Sequence, residues 1–564
     1  MKTKMKSVLL TVIGFVFALC LAVVCGLGFK PAYTVSANTA STLKMEDGAQ
    51  VRLVANDPGL RFTASISWDE YNTVKSAGGT FGMFILPNAY REDVGEIEEA
   101  TAFGANAVYC WDSAVDGKTQ IIRCTTDNLT QTSADGNTVY FACALTNIKP
   151  TNYEVDFYAT VYYEVNGERV WAEANAENVR SISYVAQKVL GYENAGTYTP
   201  TATAKAVLTK YATQFMKVGE TEGEVTLCVA DVENYPTVYV DGVELEQELS
   251  EEGVTLYDVT KGRHTATVEF EDGTTWDVPF VYADYVLRTE EDINAWLKFL
   301  NTQTSDIDGK YVVVANDIKC SGEKLQANTN SNMIMTKATT FDGYGHAITN
   351  FTSGDKSLGF MGRTVAANSV VKDIALECLQ GRGNMAGLFG AVATGTFENV
   401  YIYMKKHQNA GNAATAAAYA LSGDISGATI KNCVVFDTSR DNNKTKYDQN
   451  GTYAGALGYL KPTTGAQIKE LSNVVVITTG HVISSCGLSA STDADGVAYG
   501  KDLYNSATGY EYAVTKENVS VVGTKDSTAQ IAALKAFAGN SASWTFDETT
   551  NTLYLLGNAV YTVA

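Results

Sequence analysis

Short runs of alternating apolar and polar residues recur through most of this chain. VRLVAN (51–56), LRFTASISW (60–68), FGMFILP (81–87), TVYFACAL (138–145) and YEVDFYATVYYEVNG (153–167) are rich in Val, Ile, Tyr and Phe. Turn residues separate them, which is the signature of strands. Asn166-Gly167 fits the tight turn of a hairpin between YATVYYEV and RVWAEA. The period then changes. Ile182, Val185, Ala186 and Val189 share one helical face, as do Val207, Leu208 and Tyr211. Residues 38–216 are therefore expected to form a β-sandwich-like domain that ends in two helices. Residues 217–283 read as a small immunoglobulin-like β module. Its runs EVTLCVA, TVYVDGVELEQEL, VTLYDVT, HTATVEF and TWDVPFVY are short and evenly spaced, with hairpin signals at Asp241-Gly242 and Asp272-Gly273.

Residues 284–564 follow a different rule. Thr289-Glu290-Glu291-Asp292 is a helix-start signal ahead of Ile293, Trp296, Leu297 and Leu300. Two sub-motifs then repeat. One is a small-residue and apolar box: LGFMG (358–362), AGLFG (386–390), AYALSG (418–423), AGALG (454–458) and CGLS (486–489). The other is an Asn or Asp followed by alternating apolar residues, at Asn350, Asp373, Asn399, Asn432, Asn473 and Asn518. The intervals between these residues grow along the chain from 23 to 45 positions, as expected if loops are inserted between repeats. A parallel β-helix explains the pattern. Alternation fills its interior, glycine supplies corners, and an asparagine at each turn stacks into a ladder. The open ends of such a stack need caps. The 289–300 helix fits one end. DSTAQIAALKAF (526–537), with Ser527 and Gln530 at capping-box spacing, and WTFDETTNTLYLL (544–556) are expected to close the other.

This half resembles bacterial surface proteins with GLUG-type repeats in a right-handed parallel β-helix. The resemblance rests on Asp317-Ile318, on the segment Phe341-Asp342-Gly343-Tyr344-Gly345-His346-Ala347-Ile348, and on Gly387-Leu388-Phe389-Gly390 followed by Asn399-Val400. It implies an adhesive or matrix-facing role, whereas some other β-helices are polysaccharide lyases or glycosidases. Gly59–Phe62 (GLRF) followed by Phe81–Pro87 resembles an unnamed β-rich module of exported proteins from gut-type Gram-positive bacteria. That resemblance implies no particular activity.

Composition places the chain outside the cell. Residues 1–37 have the form of a signal peptide. Lys2, Lys4 and Lys6 precede an uncharged apolar run from Val8 to Phe29, and Val35-Ser36-Ala37 fits a cleavage site. The run is also long enough to serve as an uncleaved anchor. Leu19 and Val24 precede Cys20 and Cys25, which argues against lipidation. Removing the segment takes away four lysines and no acid, leaving 38 basic against 63 acidic residues, a net charge of −25. Such a surface repels nucleic acid. It could hold Ca²⁺, and Asp493-Ala494-Asp495-Gly496 is a fragment of a calcium-loop pattern without the remaining ligands. The eight cysteines beyond the leader form no CxxC pair, so zinc and thiol-redox motifs are absent. Cys143, Cys228 and Cys433 lie in apolar runs and read as core residues.

Candidate chemistry is sparse. Glu377, Lys405 and Asp437 fall on successive repeats and would face one groove if their strands were in register. That would suit a lyase or hydrolase. The alternative is a solvated row of strand-end charges. His346 reads as a structural residue of a tight turn, and His264 as a surface strand residue without an acidic partner at ligand spacing. Trp68, Tyr71, Trp111, Trp171, Tyr401 and Tyr403 are candidates for stacking on sugar rings. The sequence thus leads to a modular, non-enzymatic adhesin or glycan-binding protein. Its expected partners are an extracellular glycan or a surface protein of a host or neighbour. A polysaccharide-degrading enzyme and a structural envelope component are the competing readings.

Overall fold

The computed structural model describes residues 41–53, 58–88, 108–111, 131–132, 136–146, 148–173, 178–229, 234–250, 253–303, 309–325, 335–336, 338–353, 359–382, 387–390, 392–408, 420–438, 455–460, 466–485, 503 and 512–563. The leader, the CGLS box and the 493–496 acidic motif lie outside them. The described chain is mainly β, with several separate sheets, five short α-helices and no closed barrel.

Two antiparallel sheets share the first core. One contains Lys44–Met45, Gln50–Arg52, Gly59–Ser67, Gln131–Thr132 and Thr138–Thr146. The other contains Thr80–Pro87, Val108–Trp111, Phe157–Val165, Glu168–Trp171 and Val179–Arg180. Asn166 and Gly167 both take positive φ, at 53° and 84°, as a two-residue hairpin turn requires. Helix α1 (Trp68–Ser76) lies between strands of the two sheets along the chain. Helices α2 (Ile182–Asn194) and α3 (Ala202–Ala212) bury Ile182, Val185, Ala186, Leu190, Leu208 and Tyr211 in the same core.

The second core lies between a five-stranded and a three-stranded sheet. The strand Gln214–Lys217 pairs in parallel with Thr275–Ala283, so it adds to this sheet rather than ending the first region. Asp241 and Gly242 turn one hairpin with φ of 50° and 81°. Helix α2 rests directly on this body, where a Cβ on Gly191 would lie 2.1 Å from Trp276 Cδ1. Cys143 and Cys433 are buried as expected, but Cys228 is exposed. It follows the last residue of Val225–Leu227, and Gln214 clamps its backbone from both sides at 2.9 and 2.6 Å.

The remaining residues build a parallel stack. Tyr285–Leu287, Tyr311–Val314, Thr340–Asp342, Val370–Arg382, Thr396–Met404, Thr429–Asp437, Ile468–Thr478 and Ala513–Val522 pair in that order, each parallel to the next. Two further parallel columns run beside them. One joins Ile318–Lys319, Ala347–Thr352 and the later part of Val370–Arg382. The other joins Met335–Thr336, Thr364–Val365 and Val392–Ala393. The interior is apolar, with Phe341, Phe360, Phe389 and Phe397 in ring contact along it.

Each Asn or Asp of the second sub-motif is left-handed, with φ between 47° and 58°. An L residue resists that conformation, and Asn and Asp tolerate it best after glycine. In the stack the left-handed residue resets the alternation. Val371 and Ile374 both point inward around Asp373, as do Phe397 and Val400 around Asn399. Asp373, Asn399, Asn432, Asn473 and Asn518 occupy one register column. Asn399 Nδ2 donates to Asp373 Oδ1 at 2.7 Å, and Asn473 Nδ2 to Asn432 Oδ1 at 2.9 Å. Asn350 does not belong to this column. It sits in a bulge between Ile348 and Phe351 and donates to the Cys320 carbonyl at 2.8 Å.

The glycine boxes also stack. Phe360 N–H donates to the Leu388 carbonyl, and Leu388 N–H to the Ala420 carbonyl. A Cβ on Gly359 would stand 2.3 Å from Leu388 O, and one on Gly387 would stand 2.3 Å from Ser422 N. The box therefore needs glycine because the next layer's backbone occupies the space of a side chain.

Helix α4 (Glu290–Thr302) has the expected capping box, with Thr289 and Asp292 bonded reciprocally. Its buried face packs on the first layers, and Trp296 Nε1 donates to the Phe360 carbonyl at 2.7 Å. The C-terminal segment departs from expectation. Helix α5 (Ser527–Ala538) is capped by Asp526 and not by Ser527, and Asp526 Oδ1 accepts from Ala529 N–H. With the antiparallel strands Trp544–Asp547, Thr552–Leu555 and Asn558–Thr562 it covers the side of the stack instead of its end. The reason is a second apolar face. Ala375, Tyr401, Val434, Phe436, Val475 and Ile477 point outward, and Leu534, Phe537, Trp544, Leu553 and Leu555 bury them. No described strand pairs beyond Ala513–Val522. There Lys516 takes the inward register position of Leu471, a charge of the kind that discourages further strand addition.

Candidate functional site on the outer face of the parallel stack

The three residues picked as a groove separate into two sets. Glu377, Tyr403, Phe436 and Ile477 share one outward register column. Lys405 lies two positions beyond Tyr403, on the same side, and forms an ion pair with Glu377. Each of these two side chains keeps about a third of its surface exposed, at 36% for Lys405 and 34% for Glu377. Asp437 instead shares a column with Cys378 and Met404, both interior, and is itself buried. The expected convergence of Glu377, Lys405 and Asp437 is thus corrected. Asp437 stands five positions after its left-handed residue, whereas Glu377 and Tyr403 stand four after theirs, and alternation sends odd and even offsets to opposite faces.

What lies beside the Glu377–Lys405 pair is aromatic. Tyr403 stacks on Phe436 with centroids 4.7 Å apart and planes 11° apart. Tyr561, from the C-terminal unit, meets Phe436 edge-on at 5.1 Å and stacks on Tyr401 at 6.1 Å. Lys405 Nζ lies 5.3 Å from the Tyr403 ring centre. Tyr401 is buried and Tyr403 half-buried, with Phe436 stacked on its ring and Lys405 over it. Among the other aromatic candidates, Trp68 is 42% exposed, Tyr71 and Trp171 are half-buried, and the Trp111 side chain lies outside the described residues.

The sequence reading missed a second outward column. Asp342, Lys372, Glu398, Lys431, Ser472 and Glu517 stand in register, with signs that alternate over the first four. Lys431 and Glu398 pair at 3.0 Å, and Lys372 reaches Asp342 at 3.5 Å. Each from Lys372 onward directly precedes a ladder residue, so the pattern was readable from the repeat. Such a row is largely self-neutralising.

Asp342 is fully buried and is not a partner of His346. Arg263 Nε donates to its Oδ2 at 2.6 Å, and Tyr311 donates to the same oxygen at 2.6 Å. Burial pushes the Asp342 carboxyl up, but Arg263, Lys372 and Tyr311 more than offset this and hold it below the ordinary range. Arg263 Nη2 also donates to Asp373 Oδ2 at 2.6 Å. Burial raises the Asp373 carboxyl, Arg263 offsets only part of that, and the nearby Asp342 charge adds to it. His346 is buried in the turn, with Nδ1 3.3 Å from Asp317 Oδ1. His264 does have an acidic partner. Its Nδ1 lies 2.7 Å from Asp241 Oδ2 and its Nε2 2.7 Å from the Thr260 carbonyl oxygen. Asp241 was hidden from the sequence reading because it reaches His264 from the end of a neighbouring strand 23 residues earlier in the chain. Among the described residues no group of His, Cys, Asp and Glu could hold a metal ion, and no helix is long and apolar enough to cross a membrane.

No family model, curated protein or solved structure matches the chain.

Proposed function

We propose that this chain is a secreted or cell-surface modular protein that binds an extended extracellular glycan without cleaving it. A β-sandwich-like unit and an immunoglobulin-like unit carry a right-handed parallel β-helix, and the glycan lies along the outer face of that helix beside Tyr403. The observation that supports this reading is the combination at Tyr403. Its ring is held flat by Phe436, and the Glu377–Lys405 pair lies beside it. Sugar rings present flat C–H faces that stack on such rings, while their hydroxyls bond to charged neighbours. Successive layers of a parallel stack are about 4.8 Å apart, comparable to the length of one sugar unit, so a polymer crossing Glu377 and Tyr403 meets the ion pair and the ring in adjoining layers. The acidic surface favours neutral over acidic polymers. A glycan array on residues 38–564, followed by an assay for new reducing ends, tests this. Retention of a polymer without new ends is expected. Release of shorter products would overturn the non-enzymatic reading.

A further inference from the structure

We propose that Trp68 and Tyr71 form a second carbohydrate site, which takes the flat face of a neutral hexopyranose with equatorial hydroxyls. The two residues open helix α1, far along the chain from Tyr403 and in a different core. Trp68 is the only tryptophan among the large exposed hydrophobics of the described residues, at 42%. An indole normally buries most of its surface. Here it is left open yet held in place. Its ring stacks on Tyr71 at 6.0 Å and 21°, and Tyr71 stacks on the buried Phe81 at 5.3 Å and 18°. Trp68 N–H donates to the Asn137 carbonyl at 2.8 Å, which ties the helix start to the neighbouring strand. A ring ordered before binding loses little freedom when a ligand arrives.

Polar groups surround this platform. Asn72 and Lys75, one and two helical turns beyond Trp68, are exposed on its side of the helix. The adjacent Glu70 is already engaged, accepting from Ser41 Oγ at 2.6 Å, Thr42 N at 2.7 Å and Thr42 Oγ1 at 2.5 Å. Asn72 offers both a donor and an acceptor, and Lys75 a donor, to sugar hydroxyls. Asp69 and Glu70, in the same first turn of the helix, disfavour a uronic acid, which is why the ligand is assigned as neutral. This inference does not depend on the Tyr403 site. Two sites on one chain would add avidity for a polymer that reaches both.

Intrinsic tryptophan fluorescence of residues 38–564 tests the site, with cellohexaose and chitohexaose as neutral probes and hexagalacturonate as the acidic one. At least one neutral probe should shift or quench the emission. The change should persist in Tyr403→Ala and vanish in Trp68→Ala. Trp68→Phe, which keeps a ring on Tyr71, should weaken binding several-fold, and Asn72→Ala should do so without touching the core. The proposal is overturned if neither neutral probe alters the emission, if the change survives in Trp68→Ala, if Trp68→Phe and Asn72→Ala both bind as wild type, or if hexagalacturonate binds as well as the neutral probes. A chain that binds only through Tyr403 would lose the polymer in Tyr403→Ala and keep it in Trp68→Ala.

Discussion

Arg263 of the middle β module and Asp342 of the parallel stack form a buried ion pair across the boundary between two hydrophobic cores, 79 residues apart in sequence. The same guanidinium bonds Asp373 and lies 4.7 Å from the Tyr344 ring centre. Phe215 packs edge-on against that tyrosine at 5.2 Å. The module is therefore fastened to the stack and not hinged beside it. Replacing Arg263 with Ala leaves the buried Asp342 with only Lys372, Tyr311 and the Tyr344 N–H as partners, so the loss should approach, without exceeding, the cost of about 3–5 kcal/mol typical of breaking a buried pair. Denaturant unfolding of residues 38–564 should show that loss. Triple replacement by Arg263→Met, Asp342→Leu and Asp373→Asn should recover much of it, since neither carboxylate is then left buried without its guanidinium.

Acid should loosen the same region. The Asp317 carboxyl is lowered to about 2; burial opposes this, but hydrogen bonding and charge from His346 outweigh it, with help from Lys210 and the Ala347 N–H. Asp342 is lowered as well. An acid lowered on folding contributes stability above its unfolded value, about 3.9, and loses it as pH falls through its folded value. The melting temperature should therefore drop as pH is taken from about 4 toward 2. Asp373, raised by burial, works in the opposite sense, but its contribution changes only above about 3.9 and leaves the drop below pH 4 intact. Asp317→Asn should flatten the drop; an equally steep profile in that variant would contradict the assignment.

The asparagine column makes a different prediction. Asn473 has φ of 47° and bonds both Asn432 and the Phe537 carbonyl, the latter at 3.3 Å. Asn473→Ala should lose about 1–2 kcal/mol from the left-handed conformation and about 1 kcal/mol more from the hydrogen bond. Asn473→Gly keeps the conformation accessible and should lose less. Chemical denaturation distinguishes the two; equal losses would mean that the bond, not the backbone, is what asparagine supplies.

Glycine in the repeated box is required for space. Gly387→Ala places a methyl 2.3 Å from Ser422 N and should destabilise by about 1–3 kcal/mol through backbone displacement. Gly523→Ala, with nothing within 4 Å, should be nearly neutral. Thermal melts of the two variants provide a direct contrast.

Much of this architecture was legible because its repeats impose local chemistry. A left-handed turn in every layer selects Asn or Asp, and a close backbone contact selects Gly, so both signals survive in the sequence. The capping box at Thr289 and the turn at Asn166-Gly167 are local in the same way. What was not legible depends on distant contacts or on counting from the left-handed residue. Asp437 went to the wrong face because an outward position at offset four becomes inward at offset five. Arg263 gave no signal because its partners are supplied by another body. The C-terminal helix was placed at the end of the stack because an apolar helix shows that it covers something but not which surface. Tyr401, Phe436 and Ile477, apolar on outward positions, were the clue that the side needed covering.

The central claim is that an extended glycan binds on the outer face beside Tyr403. Titration calorimetry of the polymer retained by the array, against wild type and Tyr403→Ala, tests it most directly. Loss of a central aromatic contact typically costs more than 1 kcal/mol, so the variant should bind about tenfold more weakly while Tyr403→Phe, which keeps the ring stacked on Phe436, should bind close to wild type. Equal affinity in the two proteins would contradict the account.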